Sequence, residues 1–186
     1  IKEHLENHSY PAEKIQIMDA PDVITNDDNP TLAIRRKKNS SMVKGMQALA
    51  DGEGDGFISA GNTGALLAGG LFIVKRIQGI DRAALTVLYP TLSGASLLVD
   101  AGANMDTKSE YLEQFALMGS IYMEEVMGVK EPRVGLINVG TEDTKGNQLA
   151  KDTFVALKDS NMNFVGNIEA RDLPFGVADV MVCDGF

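Results

Sequence analysis

Between residues 55 and 70 the chain reads DGFISAGNTGALLAGG, and the middle of that run carries residue types that suit an anion. Ser59, Gly61, Asn62, Thr63 and Gly64 set small, hydroxyl-bearing and amide-bearing residues between an apolar stretch and a helical pattern. Glycine leaves backbone N–H groups uncovered and lets a ligand approach closely. A helix start behind it adds free N–H groups and partial positive charge, which favour phosphate. An ordinary turn with Asn62 or Thr63 as helix cap accounts for the same residues. The run is neither a Walker-type phosphate loop nor a GxGxxG dinucleotide fingerprint.

Similar residues recur downstream wherever a short apolar run ends: Asp100 to Asn104, Asn138 to Glu142, Gly166 to Asp172, and Asp184-Gly185. Lys108, Lys145 and Arg171 lie just beyond such ends and could neutralise phosphate oxygens, Arg as a two-pronged donor and Lys as a point charge. A single Lys in a polar loop is more often simply solvated. Asn104 and Asn167 are candidate donors to an oxyanion, or orienting groups. Asp100, Glu142, Glu169, Asp172 and Asp184 are scattered without the spacing of a metal-ligand set; capping or ion-pair duty is expected of them, and neither a metal nor a cofactor. The only histidines, His4 and His8, sit far from these motifs, so no Ser-His-Asp or Cys-His nucleophile assembles from them. The single cysteine, Cys183, ends the run VMVC and reads as a buried strand residue. What remains is chemistry by placement of anions.

Elements must hold those motifs in place. Strands are expected at Lys14 to Asp19, Gly56 to Ser59, Ala84 to Leu88, Ser96 to Val99, Arg133 to Val139, Asn163 to Val165 and Ala178 to Cys183. Helices are expected at Ser41 to Ala50, Asn62 to Ile77, Ser109 to Met127 and Asn147 to Lys158. Thr107 and Glu110 have capping-box spacing, and Leu112, Phe115, Gly119, Tyr122 and Val126 share one helical face. Strands alternating with helices indicate an α/β fold with a mostly parallel sheet, in which ligands gather at the carboxyl ends of the strands.

The chain has 17 basic against 26 acidic residues, a net charge of −9, which argues against a nucleic-acid partner. Arg35, Arg36, Lys37 and Lys38 are the local exception: a solvated face on the plainer reading, a landing site for an acidic partner on the sharper one. One cysteine excludes an internal disulfide framework and suits a reducing compartment. No apolar run reaches the roughly 18 residues of a membrane span. No repeat or linker interrupts the 186 residues, so one continuous α/β domain is expected over 1–186. Both ends read as cut within a longer chain.

The motifs together resemble the PlsX-type phosphate acyltransferases of bacterial phospholipid synthesis. The matching blocks are Arg36 to Met42, Ile58 to Leu66, Gly79 to Arg82, Leu98 to Asn104, Gln114 to Gly119, Pro132 to Gly140, Lys145 to Asn147, Phe164 to Asp172 and Asp179 to Phe186. They run in family order along nearly the whole chain, with mild departures at Ala84 and Ala170 and with segments missing at both ends. The resemblance implies a three-layer α/β/α fold similar to the isocitrate/isopropylmalate dehydrogenase and phosphate acetyltransferase folds. It implies a cytoplasmic homodimer, peripheral at the inner face of the membrane and in contact with the glycerol 3-phosphate acyltransferase. The implied reaction moves a long-chain acyl group from acyl carrier protein to inorganic phosphate. On that reading Ser59, Gly61, Asn62, Thr63, Gly64, Asn104 and Asn167 hold phosphate or acyl phosphate. Asn62, Lys108, Lys145 and Arg171 carry catalysis, and Arg35 to Lys38 dock acyl carrier protein. A phosphate acetyltransferase-like enzyme using acyl coenzyme A, and a non-catalytic scaffold for lipid-synthesis enzymes, are the alternatives.

Overall fold

The computed structural model describes all 186 residues, which fall into two compact units, Ile1–Lys75 and Arg76–Phe186. No helix is long and apolar enough to cross a membrane.

The first unit is helical. After α1 (Lys2–Leu5) and a 3-10 turn at Ala12–Lys14 come α2 (Pro30–Arg36), α3 (Ser41–Ala50) and α4 (Thr63–Gly69), the last running on into one wider turn at Gly70–Val74. Each start of α2 to α4 is capped by the side chain before it. Asn29 accepts from the Leu32 N–H at 3.1 Å, Ser40 from Val43 at 3.3 Å, and Asn62 from Ala65 at 2.9 Å, while Pro30 supplies the preset φ of a first helical residue. The apolar faces meet in a core of Ile34, Met42, Val43, Met46, Ala65 and Ala68. Gly64 answers part of the puzzle posed by its neighbourhood: a Cβ there would stand 2.7 Å from Pro30 Cγ, so α2 and α4 approach closely only because the side chain is missing. The strands expected at Lys14 to Asp19 and Gly56 to Ser59 do not form. Neither segment has a neighbouring strand in this unit, and without one a backbone ladder has no partner.

The second unit is the sheet. Its strands are β1 (Thr86–Thr91), β2 (Gly94–Val99), β3 (Arg133–Asn138), β4 (Asn163–Glu169) and β5 (Val180–Val182), in the order β1-β2-β5-β3-β4. Only β1 and β2 pair antiparallel; β2 with β5, β5 with β3, and β3 with β4 are parallel. The carboxyl ends of those four strands therefore share one edge. The mostly parallel α/β sheet is as expected; the β1–β2 hairpin is an addition to it. Two helices, α5 (Ser109–Glu125) and α6 (Gln148–Asp159), cover one face, where Leu97, Val99, Phe115, Val134, Leu136 and Leu157 are buried together. On the other face Ile168, Ala178 and Met181 pack with Leu173 from a 3-10 turn at Ala170–Phe175. Single apolar side chains alternate between the two faces along β2, β3 and β5, the period-two pattern of a strand covered on both sides.

Helix α5 corrects two expectations. Its cap residue is Lys108, which makes no side-chain cap bond, and the Thr107 hydroxyl is buried with no partner. Thr107 lies one position upstream of the cap, out of register for a capping box with Glu110. Tyr122 and Val126 are exposed, whereas Ala116 and Met123 are buried. At the far end of β3, Arg133 grips Asp179 through Nε (3.0 Å) and Nη2 (2.9 Å) and reaches the carbonyls of Gly176 and Val177. It ties the start of β3 to the approach to β5.

Candidate functional site at the carboxyl edge of the sheet

Asp100, the residue after β2, is 1% exposed. A carboxylate that deep needs charge-assisted donors, and it has four: the backbone N–H groups of Leu85 (3.0 Å), Ala103 (3.0 Å) and Asn104 (2.7 Å), and the Asn104 side-chain amide (2.7 Å). Asn104 Nδ2 also donates to the Ala83 carbonyl at 2.9 Å. Both of its amide protons are thus taken up in shaping the loop. That loop is locked to the one after β5: Gly185 N–H donates to the Asn104 carbonyl at 2.9 Å, and a Cβ on Gly185 would lie 2.7 Å from Asn104 N.

The ends of β3 and β4 form a second network, centred on Asn138. Its side chain donates to the Lys145 carbonyl and to Asn167 Oδ1, each at 3.1 Å, and accepts from the Val139 N–H at 2.8 Å. Asn167 in turn donates to the Glu142 carbonyl at 2.8 Å. Asn138 fastens the 139–147 loop to the sheet, and Asn147 then caps α6 through Ala150 N–H at 2.9 Å. Asn138 is the last residue of β3, a position that marked it in the sequence, yet the residues expected to touch a ligand did not include it.

The cations differ in freedom. Lys145 Nζ has only Glu142 Oε1, at 3.7 Å, and both side chains are largely in water, where such a pair contributes little. Arg171 is held by Glu169 at 3.0 Å and lies 4.0 Å from Asp172. Lys108 is exposed at the start of α5. Of the candidates in this unit, Lys145 and Asn167 are brought into one network; Asn104, Lys108 and Arg171 are not part of it.

Beside this network lies a cleft of about 770 Å³ among the ends of β3, β4 and β5 and the first turns of α5 and α6. Leu112, Leu136, Ile137 and Leu149 give it an apolar wall, and Asn138, Asn147, Cys183 and Asp184 also reach it. Burial, with Asp184 beside it, pushes the Cys183 thiol up to about 11, and its Sγ donates to the Asp100 carbonyl at 3.3 Å. It is a half-buried thiol just past the end of β5, not within a strand as its apolar run suggested, and is held protonated near neutral pH.

In the first unit, Asn62 is 8% exposed. Besides capping α4, its Nδ2 donates to the carbonyls of Thr25 (3.1 Å) and Asn26 (3.4 Å). Ser59 Oγ accepts from Gly61 N–H at 3.1 Å, and Thr63 is exposed at the first position of α4. The loop leaves an irregular segment, and α4 proper has seven residues. In the basic run, Lys37 is engaged by Asp28 at 2.6 Å and by the Val23 carbonyl at 2.7 Å, and Arg35 stacks on Phe72 with its guanidinium carbon 5.5 Å from the ring centre.

Among curated proteins, the phosphate acyltransferase of Bacillus licheniformis is 57% identical over 187 residues, covering 100% of this chain and 56% of the relative. That of Bacillus pumilus is 58% identical over 187 residues (100% and 55%), and that of Clostridium kluyveri 50% over 186 (100% and 56%). The chain thus spans a little over half the length of these relatives. Among solved structures, the EutD phosphotransacetylase from Staphylococcus aureus superposes with TM-score 0.58 at 18% identity, over 77% of this chain and 51% of that one. A phosphotransacetylase from Streptococcus pyogenes gives 0.59 at 17%, over 83% and 57%. These two share the fold. The family model described as fatty acid synthesis protein matches residues 1–186, and the chain belongs to that family.

Proposed function

We propose that the protein of which these residues are part transfers a long-chain acyl group from acyl carrier protein to inorganic phosphate, giving an acyl phosphate for phospholipid synthesis. The observation that carries this reading is the match of the whole chain, at 50% identity or more, to relatives named phosphate acyltransferase. The chemistry suits the residues. Phosphate is largely a dianion near neutral pH and needs little help from a general base. It must be partly stripped of water and held in line with the thioester carbonyl, while N–H donors face the developing oxyanion. A phosphate oxygen bonds to the carbonyl carbon, the carbon–sulfur bond breaks, and the thiolate takes a proton from solvent.

In this reading Lys145 is the cation for the phosphate, since Asn138 fastens its loop to the strand ends and its ammonium has only Glu142, at 3.7 Å. Asn167 keeps one amide proton beyond its bond to Glu142 and serves as orienting donor. Lys108 and Arg171 are further cations, Arg171 after release from Glu169. In the first unit, taken by itself, Ser59, Gly61, Asn62, Thr63 and Gly64 are candidate contacts to phosphate or acyl phosphate, with Asn62 also holding that loop in shape. Asn104 acts through the loop it braces. Arg35, Arg36 and Lys38 receive acyl carrier protein, with Lys37 kept in place by Asp28. The same reading makes residues 1–186 part of one α/β domain of a homodimer. That dimer works at the inner membrane face, beside the glycerol 3-phosphate acyltransferase that consumes its product.

The test is phosphate-dependent consumption of acyl–acyl carrier protein by the full-length protein, with acyl phosphate trapped as hydroxamate. Lys145→Ala is expected to lower kcat/KM for phosphate by about 100-fold, the scale of one lost electrostatic contact to the transition state. Consumption without phosphate, or of acyl coenzyme A alone, overturns the proposed reaction. Unchanged kinetics in the variant remove Lys145 from it.

A further inference from the structure

We propose that the apolar cleft at the carboxyl ends of β3, β4 and β5 receives the hydrocarbon tail of the acyl group, and that Leu149 on α6 limits its length. The inference rests on the acyl-transfer reading. Its grounds are the shape and polarity of one cavity. At about 770 Å³ the cleft is within the range of about 300–1,000 Å³ typical of ligand pockets. Its floor is hydrocarbon: Leu112 and Leu136 are each 2% exposed and face it together with Ile137 and Leu149. Its polar lining is small: Asn138, which fastens the loop that carries Lys145, Asn147 at the cap of α6, and Cys183 and Asp184 beyond β5.

A cavity lined mostly by hydrocarbon with a few polar groups at the strand ends suits an amphiphile with an anionic or thioester head and an alkyl tail. Asp184, which also reaches the cleft, disfavours an anion beside it, so the head is assigned to the Asn138 and Gly146 part of the lining, next to the Lys145 loop. Inorganic phosphate alone would leave the apolar floor without a partner.

Leu149 is the residue to change because it lines the cleft from the first turn of α6 and is only partly buried, at the margin of the core. Two readouts separate this inference from the reading it rests on. In the first, the full-length enzyme is assayed with thioesters of eight to eighteen carbons. Leu149→Trp is expected to lower the preference for sixteen over eight carbons by at least about tenfold, since each methylene denied burial carries a several-fold penalty, with KM for phosphate within about twofold of wild type. Leu149→Ala, which tests the same point if the Trp variant misfolds, shifts the preference toward longer chains.

The second readout does not depend on turnover. Cys183 reaches the cleft and is the only cysteine of the 186 residues, so its alkylation by iodoacetamide at pH 9, followed on the peptide that carries it, reports occupancy. Palmitate is expected to slow alkylation at least fivefold, octanoate less and inorganic phosphate not at all, and Leu149→Trp to abolish the effect of palmitate. Protection by palmitate in a protein that forms no acyl phosphate leaves the cleft as a hydrocarbon site and defeats the acyl-transfer reading. Absence of protection, or an unchanged length profile in both Leu149 variants of an active enzyme, overturns the inference.

Discussion

At the scale of single residues, two titratable groups report how this chain treats charge. Cys183 is kept protonated by burial and by the neighbouring Asp184, with a value of about 11 against an ordinary 9.0. At pH 8 its thiolate population is roughly a hundredfold below that of a free thiol. Alkylation should therefore be slow there and rise about tenfold per pH unit toward pH 11; a plateau near pH 9 would show an ordinary thiol. Because this value is raised on folding, its stabilising contribution is intact below pH 9 and is lost as pH climbs through 11. Asp179 has the opposite sign. Burial pulls its carboxyl upward, but the Arg133 hydrogen bonds outweigh that and hold it below the usual 3.8. Its contribution is present above pH 3.8 and disappears as pH falls through the depressed folded value. Arg133→Ala should cost about 2 kcal/mol at pH 7 by urea unfolding, the scale of a charge-assisted bond, and less at pH 3. An equal cost at both pH values would mean that packing of Arg133, not its charge, holds the ends of β3 and β5.

At the scale of elements, Asn62 decides whether α4 starts where it does. It caps the helix and ties it to the Thr25–Asn26 backbone through three hydrogen bonds. Asn62→Ala should destabilise the first unit by about 1–2 kcal/mol. Asn62→Asp keeps the cap acceptor and loses the donors, so it should fall between wild type and Ala. If chemical denaturation finds all three equally stable while turnover collapses in both variants, Asn62 acts on substrate directly. In the second unit the corresponding role belongs to Asn138 and Asp100, whose side chains shape loops and have no donor left for a ligand.

At the scale of the whole molecule, a net charge of −9 repels an acidic partner at long range, and any docking must use a local exception. On the proposed reaction, reversing Arg35, Arg36 and Lys38 together is expected to raise KM for acyl carrier protein at least tenfold at low salt and to leave KM for phosphate alone. The difference should shrink as ionic strength rises and the Debye length falls below about 10 Å. Equal changes in both constants would point to misfolding of α2, and no change in either would remove the basic run from partner binding.

Hydrophobic period is a local signal, and it was enough to read the helices α3, α5 and α6 and the strands β2 and β3 in one dimension. The sequence by itself carried the family too, since ordered blocks along 186 residues do not recur by accident. Tertiary structure alone decided which polar side chains are spent. Asn104 and Asn62 read as ligand donors in one dimension; in the fold the Asn104 amide meets Asp100 and the Ala83 carbonyl, and the Asn62 amide meets the Thr25 and Asn26 carbonyls, because a buried amide takes whichever acceptor the fold sets beside it. The two failed strands have the same origin. Lys14 to Asp19 and Gly56 to Ser59 have strand-forming residues, but a strand exists only where a neighbour completes its hydrogen bonds, and the choice of neighbour is not written in the segment itself.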